Sequence, residues 1–202
     1  MPEFAPAGKG PSNPGRPHEG DNGLVAVAPE DYFELTLGEL REVARFAVRG
    51  AQEVLDVFER VDPGDRRPRA AIEAAWEFAN GAPRTRLQRV TALDAHRAAA
   101  DAPTGAAKHA AHAAGDAAAA AYLHPFARAD QLGHILRADA HAAYAEELET
   151  GDPSLGGEHI TRAGARATPL LVEVLRRYPR APEGRSRVSA FVEALDEELR
   201  TP

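Results

Sequence analysis

The stretch DAHRAAADAPTGAAKHAAHAAGDAAAAAYLHP, Asp94 to Pro125, decides the fold. Alanine is the strongest helix former and is depleted in strands. Pro103 ends one helix and Thr104 is placed to cap the next, so the stretch reads as two helices in succession. Asp94, His96, Arg97, Asp101, Lys108, His109, His112 and Asp116 punctuate it, and a membrane span does not carry that many polar groups.

The bias extends along the chain, where 43 of 202 residues are alanine. Hydrophobic residues make up 44%, so enough large apolar side chains remain to fill a core, which disordered chains lack. Composition thus points to an all-α domain with close-packed helices. Cysteine is absent, which excludes disulfide scaffolds, thiol nucleophiles and Cys-ligated metals. GxxxxGK[ST], GxSxG and HExxH are absent, which removes the motif-based case for a P-loop ATPase, a hydrolase elbow or a zincin. A net charge of −7, with 24 basic residues scattered among 31 acidic ones, gives no basic footprint for nucleic acid. With no signal-like or membrane-spanning segment, the expected location is cytoplasmic.

Residues 1–29 read as a disordered tail. Five prolines (2, 6, 11, 14, 17) and five glycines (8, 10, 15, 20, 23) crowd its first 23 positions, with His18 among them. Residues 30–202 read as one antiparallel bundle of about seven to eight helices. Thr36 with Glu39 forms a capping box that opens a first helix ending at Asp62-Pro63-Gly64. Further helices are expected at about 67–80, 84–100, 104–123, 125–149 and 155–167, then after Pro169, then 186–200. Asp65 is the candidate cap of the second, and Pro125 the expected first turn of the fifth.

Three constellations could carry chemistry. His109, His112 and Asp116 are spaced i, i+3, i+7, so they share one helix face, and Gln131, His134 and His141 share a face of the next. An antiparallel hairpin turning near His124 would place His112 near Leu136 and His109 near Asp139, within a turn of His134 and His141, and with Asp116 these histidines are a donor set suited to a divalent transition metal. The same spacing also fits a solvated or partner-facing stripe. The second constellation is Tyr122 and His124 at a helix break with Gln131 and His134 nearby, a corner that can line a pocket or be simple capping. The third is Arg69 and Trp76 behind the basic run Arg66-Arg67, residue types favoured at interfaces but equally an ordinary helix start with a core tryptophan.

Four blocks then carry a resemblance. They are Leu35-Thr-Leu-Gly-Glu-Leu-Arg-Glu-Val-Ala-Arg-Phe-Ala47; Arg67-Pro-Arg69 with Ala74-Ala-Trp76; Ala113 to Pro125; and Gln131-Leu-Gly-His-Ile-Leu136. From about residue 30 to 200 the chain resembles small all-helical actinobacterial immunity proteins, some of whose relatives carry an exonuclease-subunit name. The exonuclease label implies a P-loop and coiled coils, which this chain lacks. The resemblance implies a protein that neutralises a cognate polymorphic toxin by binding it, and it implies no established active site.

Two readings of function follow. In the first the chain is an immunity-type binding protein, its acidic charge steering it to a basic toxin, with Arg69, Trp76, Tyr122, His124, Gln131 and His134 at the contact. In the second it is a small helical enzyme or ligand-binding protein that uses the His-rich hairpin of residues 109–141 and a divalent transition metal. A homo-oligomeric scaffold is a third possibility, since small residues permit close helix approach. Neither a nucleic acid nor a membrane is expected as partner.

Overall fold

A computed structural model describes residues 32–201, and the expected tail with His18 lies outside the described residues. The chain folds as α1 (Leu37–Glu53), α2 (Leu55–Val61), α3 (Arg67–Ala79), α4 (Arg86–Asp101), α5 (Gly105–Ala119), α6 (Gly133–Thr150), α7 (Ser154–Ala165), α8 (Pro169–Arg176) and α9 (Arg187–Arg200). Among the described residues there is no strand, only one antiparallel bridge between Tyr32 and Phe126. The all-α expectation holds.

Local chemistry sets the helix ends. The capping box at α1 forms as the sequence implies: Glu39 N–H donates to Thr36 Oγ1 (3.2 Å), and Thr36 N–H donates to Glu39 Oε2 (2.7 Å). Thr104 caps α5 by accepting from Ala107 N–H at 3.1 Å. Thr85 and Gln88 form a second box at α4, which the sequence reading passed over. Asp65 accepts from Arg67 N–H at 2.9 Å, although the residue in the cap position of α3 is Arg66. Gly81 (φ +114°) and Gly151 (φ +73°) take the positive φ that ends α3 and α6, a region costly for residues with a Cβ.

Two boundaries differ from expectation. The first helix divides at Val54, where φ −115° and ψ 6° leave the helical region and α2 restarts. The fifth expected helix begins at Gly133, not Pro125. After a 3-10 turn at Ala120–Tyr122, the chain turns extended at Leu123 (ψ 127°). The Pro125 carbonyl accepts from Phe33 N–H at 3.2 Å. Phe126 meets the Tyr32 ring edge-to-face at 4.3 Å. Pairing with the segment before α1 therefore outcompetes a helical turn at Pro125, and helix geometry resumes only through a 3-10 turn at Ala129–Leu132.

The alanines lie where two helices are enclosed. α5 packs against α1, α2, α3, α4 and α6, and α6 against α1, α5, α7 and α9. Ala106, Ala107, Ala110, Ala111, Ala113, Ala114, Ala117 and Ala118 on α5 are all buried. On α6, Ile135, Leu136, Ala138, Ala140, Ala142, Ala143 and Ala145 are buried around nearly the whole circumference. A helix enclosed on most sides needs small residues so that several neighbours can approach together. That same closeness forces the few polar residues of α5 and α6 into contact with one another.

Candidate functional site

Histidines from three helices meet on one side of the α5–α6 pair. His109 and His112 project from α5, His141 from α6, and His96 from α4. Nδ1 of His109 lies 2.8 Å from Nδ1 of His141, and Nδ1 of His112 lies 3.0 Å from Nδ1 of His96. The His112 and His141 rings stack between the two pairs with centroids 4.9 Å apart. The hairpin register that the spacing implies is thus realised within about a turn.

Asp116 sits beneath this row, 2% exposed. Its Oδ1 accepts from Nε (2.9 Å) and Nη2 (2.7 Å) of Arg137, one turn before His141 on α6. Oδ2 has no hydrogen-bond partner and faces His141 Nε2 at 3.7 Å, while His96 Nε2 stands 3.8 Å from Oδ1. His96 fits because α5 has a glycine beneath it: a Cβ at Gly115 would lie 2.8 Å from the His96 ring. Burial disfavours charging these rings. It pushes His109 down to about 4, helped by His112 and Lys108, and His141 down to about 2, helped by His112, His109 and Arg137. His112 is lowered by burial and by His96. His109, His112 and His141 are therefore held neutral at pH 7, with imidazole lone pairs available.

His134 is the predicted ligand that stands apart from these pairs. It lines a cleft of about 460 Å³ with Arg89, Ala92, Leu93, His96, Ala119, Tyr122 and His124. Its Nδ1 is buried without a partner, and burial followed by Arg137 lowers its pKa. Tyr122 donates its hydroxyl hydrogen to the Thr85 carbonyl at 2.8 Å, and Arg84 lies over its ring at 5.5 Å. Gln131 Oε1 accepts from His124 N–H at 3.0 Å, fixing the corner rather than facing the cleft. So the helix break does line a pocket, through Tyr122, His124 and His134.

The outer face of α4 continues from the cleft. Leu87, Val90 and Leu93, three residues apart, are 44%, 40% and 51% exposed. Arg84, Arg86 and Arg89 border them, and no acidic residue intervenes before Asp94. Arg69 and Trp76 lie on α3, turned to α1 and α2: Arg69 forks onto Glu59, and the Trp76 indole N–H donates to Gln52 Oε1. Neither lines the cleft.

A second polar cluster occupies the opposite side of α6. His159 of α7, fully buried, has Nε2 3.1 Å from Asp139 Oδ1 and Nδ1 3.0 Å from Glu146 Oε1. Arg162 donates to Glu146 at 2.7 Å, and Arg166 pairs with Asp139. Burial alone would lower His159, but its two carboxylate partners outweigh it and raise the imidazolium to about 9. Glu53, Glu146 and His159 also present ligand atoms within 4.8 Å of one another. With His159 protonated and Arg162 and Arg166 already on these carboxylates, the cluster is an ion-pair network rather than a cation cage.

The sequence reading missed His96, Arg137 and this second network. Interior glycines were the available signal. Gly115 marks the approach of His96, and Gly50 marks that of Asp139, whose Oδ1 a Cβ there would overlap at 2.0 Å. The spacing of His159, Arg162 and Arg166, i, i+3, i+7, was a second.

The family model described as Imm-5 like putative immunity protein matches residues 34–155, from just before α1 to the first residues of α7. No curated protein and no solved structure matches the chain.

Proposed function

This chain belongs to the Imm-5 like immunity protein family, and on that premise we propose that it neutralises a cognate bacterial toxin by binding it directly through α4 and the adjoining cleft. The observation that carries this reading is the stripe Leu87, Val90 and Leu93. Three large apolar side chains in a row on one helix, 40–51% exposed, form the kind of patch that marks an interaction surface. Tyr122 and the arginines beside it are residue types that anchor interfaces. The stripe and the cleft fall within the residues matched to the family.

The charge of this face differs from that of the whole chain. The net charge is −7, yet Arg84, Arg86 and Arg89 border the stripe. The contact proposed is therefore an apolar centre on the toxin with acidic residues around it, and steering acts through the local potential rather than the net charge.

Co-expression tests the reading. Each toxin-like product of the genes neighbouring this reading frame is produced in a host with the wild-type chain or with a Val90→Asp/Leu93→Asp variant, and growth is measured. Protection by wild type and its loss in the variant, with helix content unchanged, is the expected result. No protection by wild type, or equal protection by both, overturns it.

A further inference from the structure

We propose that the cleft between α4 and the corner after α5 binds a small planar aromatic acid, its ring against Tyr122, Leu93 and Ala119 and its carboxylate on Arg89. The inference needs no toxin and stands whether or not one docks on the neighbouring stripe. It rests on the size of the cleft, on how its walls are held and on where its charge lies.

The cleft measures about 460 Å³, within the roughly 300–1,000 Å³ of small-molecule sites. That is more room than a single aromatic side chain of a docking protein occupies. Ala92, Leu93 and Ala119 give it apolar walls, and Tyr122 and His124 add aromatic ones. Apolar and aromatic walls with a few polar groups among them are the usual make-up of such sites.

The aromatic walls are fixed before any ligand arrives. The Tyr122 hydroxyl is spent on the Thr85 carbonyl at 2.8 Å, so this residue offers the cleft its π surface rather than its hydroxyl. Arg84 covers the ring at 5.5 Å but does not line the cleft, which leaves the rest of the ring to it. The His124 N–H is tied to Gln131 Oε1 at 3.0 Å, and its ring stacks on Phe126 with centroids 5.5 Å apart. Surfaces held in this way lose little freedom on binding.

Charge then sets the class of ligand. The chain carries −7 overall, yet no carboxylate lines the cleft. Arg89, its one arginine, is exposed and makes no ion pair among the described residues, whereas Arg97, two turns on, is paired with Asp94 at 2.6 Å. His134 lies deeper, half-buried, and burial together with Arg137 lowers its pKa, so it is neutral at pH 7. Positive charge therefore sits at the mouth and not at the inner end. That orients the ligand with its ring inwards and its carboxylate outwards on the guanidinium fork. A cationic ring would find no counter-ion in the cleft.

The test is titration of the ¹⁵N-labelled full chain with phenylacetate and separately with indole-3-acetate, each against the corresponding alcohol, at pH 7.5. At least one acid is expected to give saturable amide shifts centred on Leu93, Ala119 and Tyr122. Its alcohol should bind about tenfold more weakly, as loss of a charge-assisted hydrogen bond implies. Arg89→Gln, a change at an exposed position, should weaken the acid by the same factor and leave the alcohol unchanged, a contrast that a structural role would not produce. N-acetyltyrosinamide, which presents a protein's aromatic side chain without a carboxylate, should bind no better than the alcohols. No saturable shift with either acid up to about 10 mM overturns the proposal. So do shifts centred outside the cleft, an alcohol or the tyrosine amide binding as well as the acid, or equal effects of Arg89→Gln on acid and alcohol.

Discussion

Nε2 of His159 and Oδ1 of Asp139 stand 3.1 Å apart, and neither side chain is exposed to solvent. Arg166 closes on the same Oδ1 and reaches Glu53 of α1, and Glu146 takes the other ring nitrogen, so charge joins α1, α6 and α7 in addition to their apolar packing. Asp139→Ala takes from His159 and Arg166 the buried carboxylate they share, leaving His159 to Glu146 and Arg166 to the more distant Glu53. Such deletions cost about 3–5 kcal/mol. Urea unfolding followed by circular dichroism should show that loss, and a change below about 1 kcal/mol would mean that water reaches the pair.

The same network makes stability depend on alkaline pH. The folded His159 pKa is raised to about 9 from an unfolded value near 6.5. A raised pKa contributes stability that is fully present below pH 6.5 and lost as pH climbs through 9. The shift corresponds to roughly 3–4 kcal/mol. Unfolding midpoints measured from pH 6 to 10 should fall in wild type, and the fall should flatten in His159→Gln.

The histidine row acts in the opposite direction. His109 is lowered to about 4, and His112 and His141 are lowered as well. For a base with a depressed folded pKa, stability is complete above the unfolded value near 6.5 and drains as pH falls from there towards 4. Melting temperature should therefore drop between pH 6.5 and 5, above the range in which most carboxylates titrate. In His109→Gln/His112→Gln that drop should shrink, and an unchanged acid slope would place its origin elsewhere.

The two interior glycines separate rigid from yielding neighbours. At Gly50 an added Cβ would overlap the Asp139 carboxylate, which Arg166 and His159 hold in place. Gly50→Ala should cost at least 3 kcal/mol, as a broken buried pair does. At Gly115 the obstacle is the His96 ring, which is only half-buried and can swing outwards. Gly115→Ala should change stability by less than about 1 kcal/mol, since the better helix propensity of alanine offsets the contact. Paired urea titrations check the contrast, and equal costs would contradict it.

Much of the fold was legible because it rests on local chemistry. Thr36 with Glu39, Thr104, Gly81 and Gly151 each act within a few residues of their own position, and the structure uses them as the sequence implies. The start of α6 was not legible, because Pro125 is drawn into pairing with Tyr32 and Phe33, more than 90 positions away. The site shows the same division. His109, His112, Asp116 and His141 share faces of two adjacent helices, so spacing alone brings them together. His96 joins from α4, whose register against α5 is set by Gly115, and nothing within α4 announces it. His159 and Asp139 lie 20 positions apart on helices whose pairing no motif encodes.

The central claim is that α4 is the face that grips the toxin. Its most direct test is the dissociation constant of a toxin that the wild-type chain neutralises on co-expression, measured against the wild-type chain and against Val90→Asp/Leu93→Asp. Residues that anchor an interface lose 2 kcal/mol or more when altered, about 30-fold in affinity. The account predicts at least that weakening, with unchanged unfolding of the variant. Equal affinities for the two chains, or no binding by wild type, would contradict it.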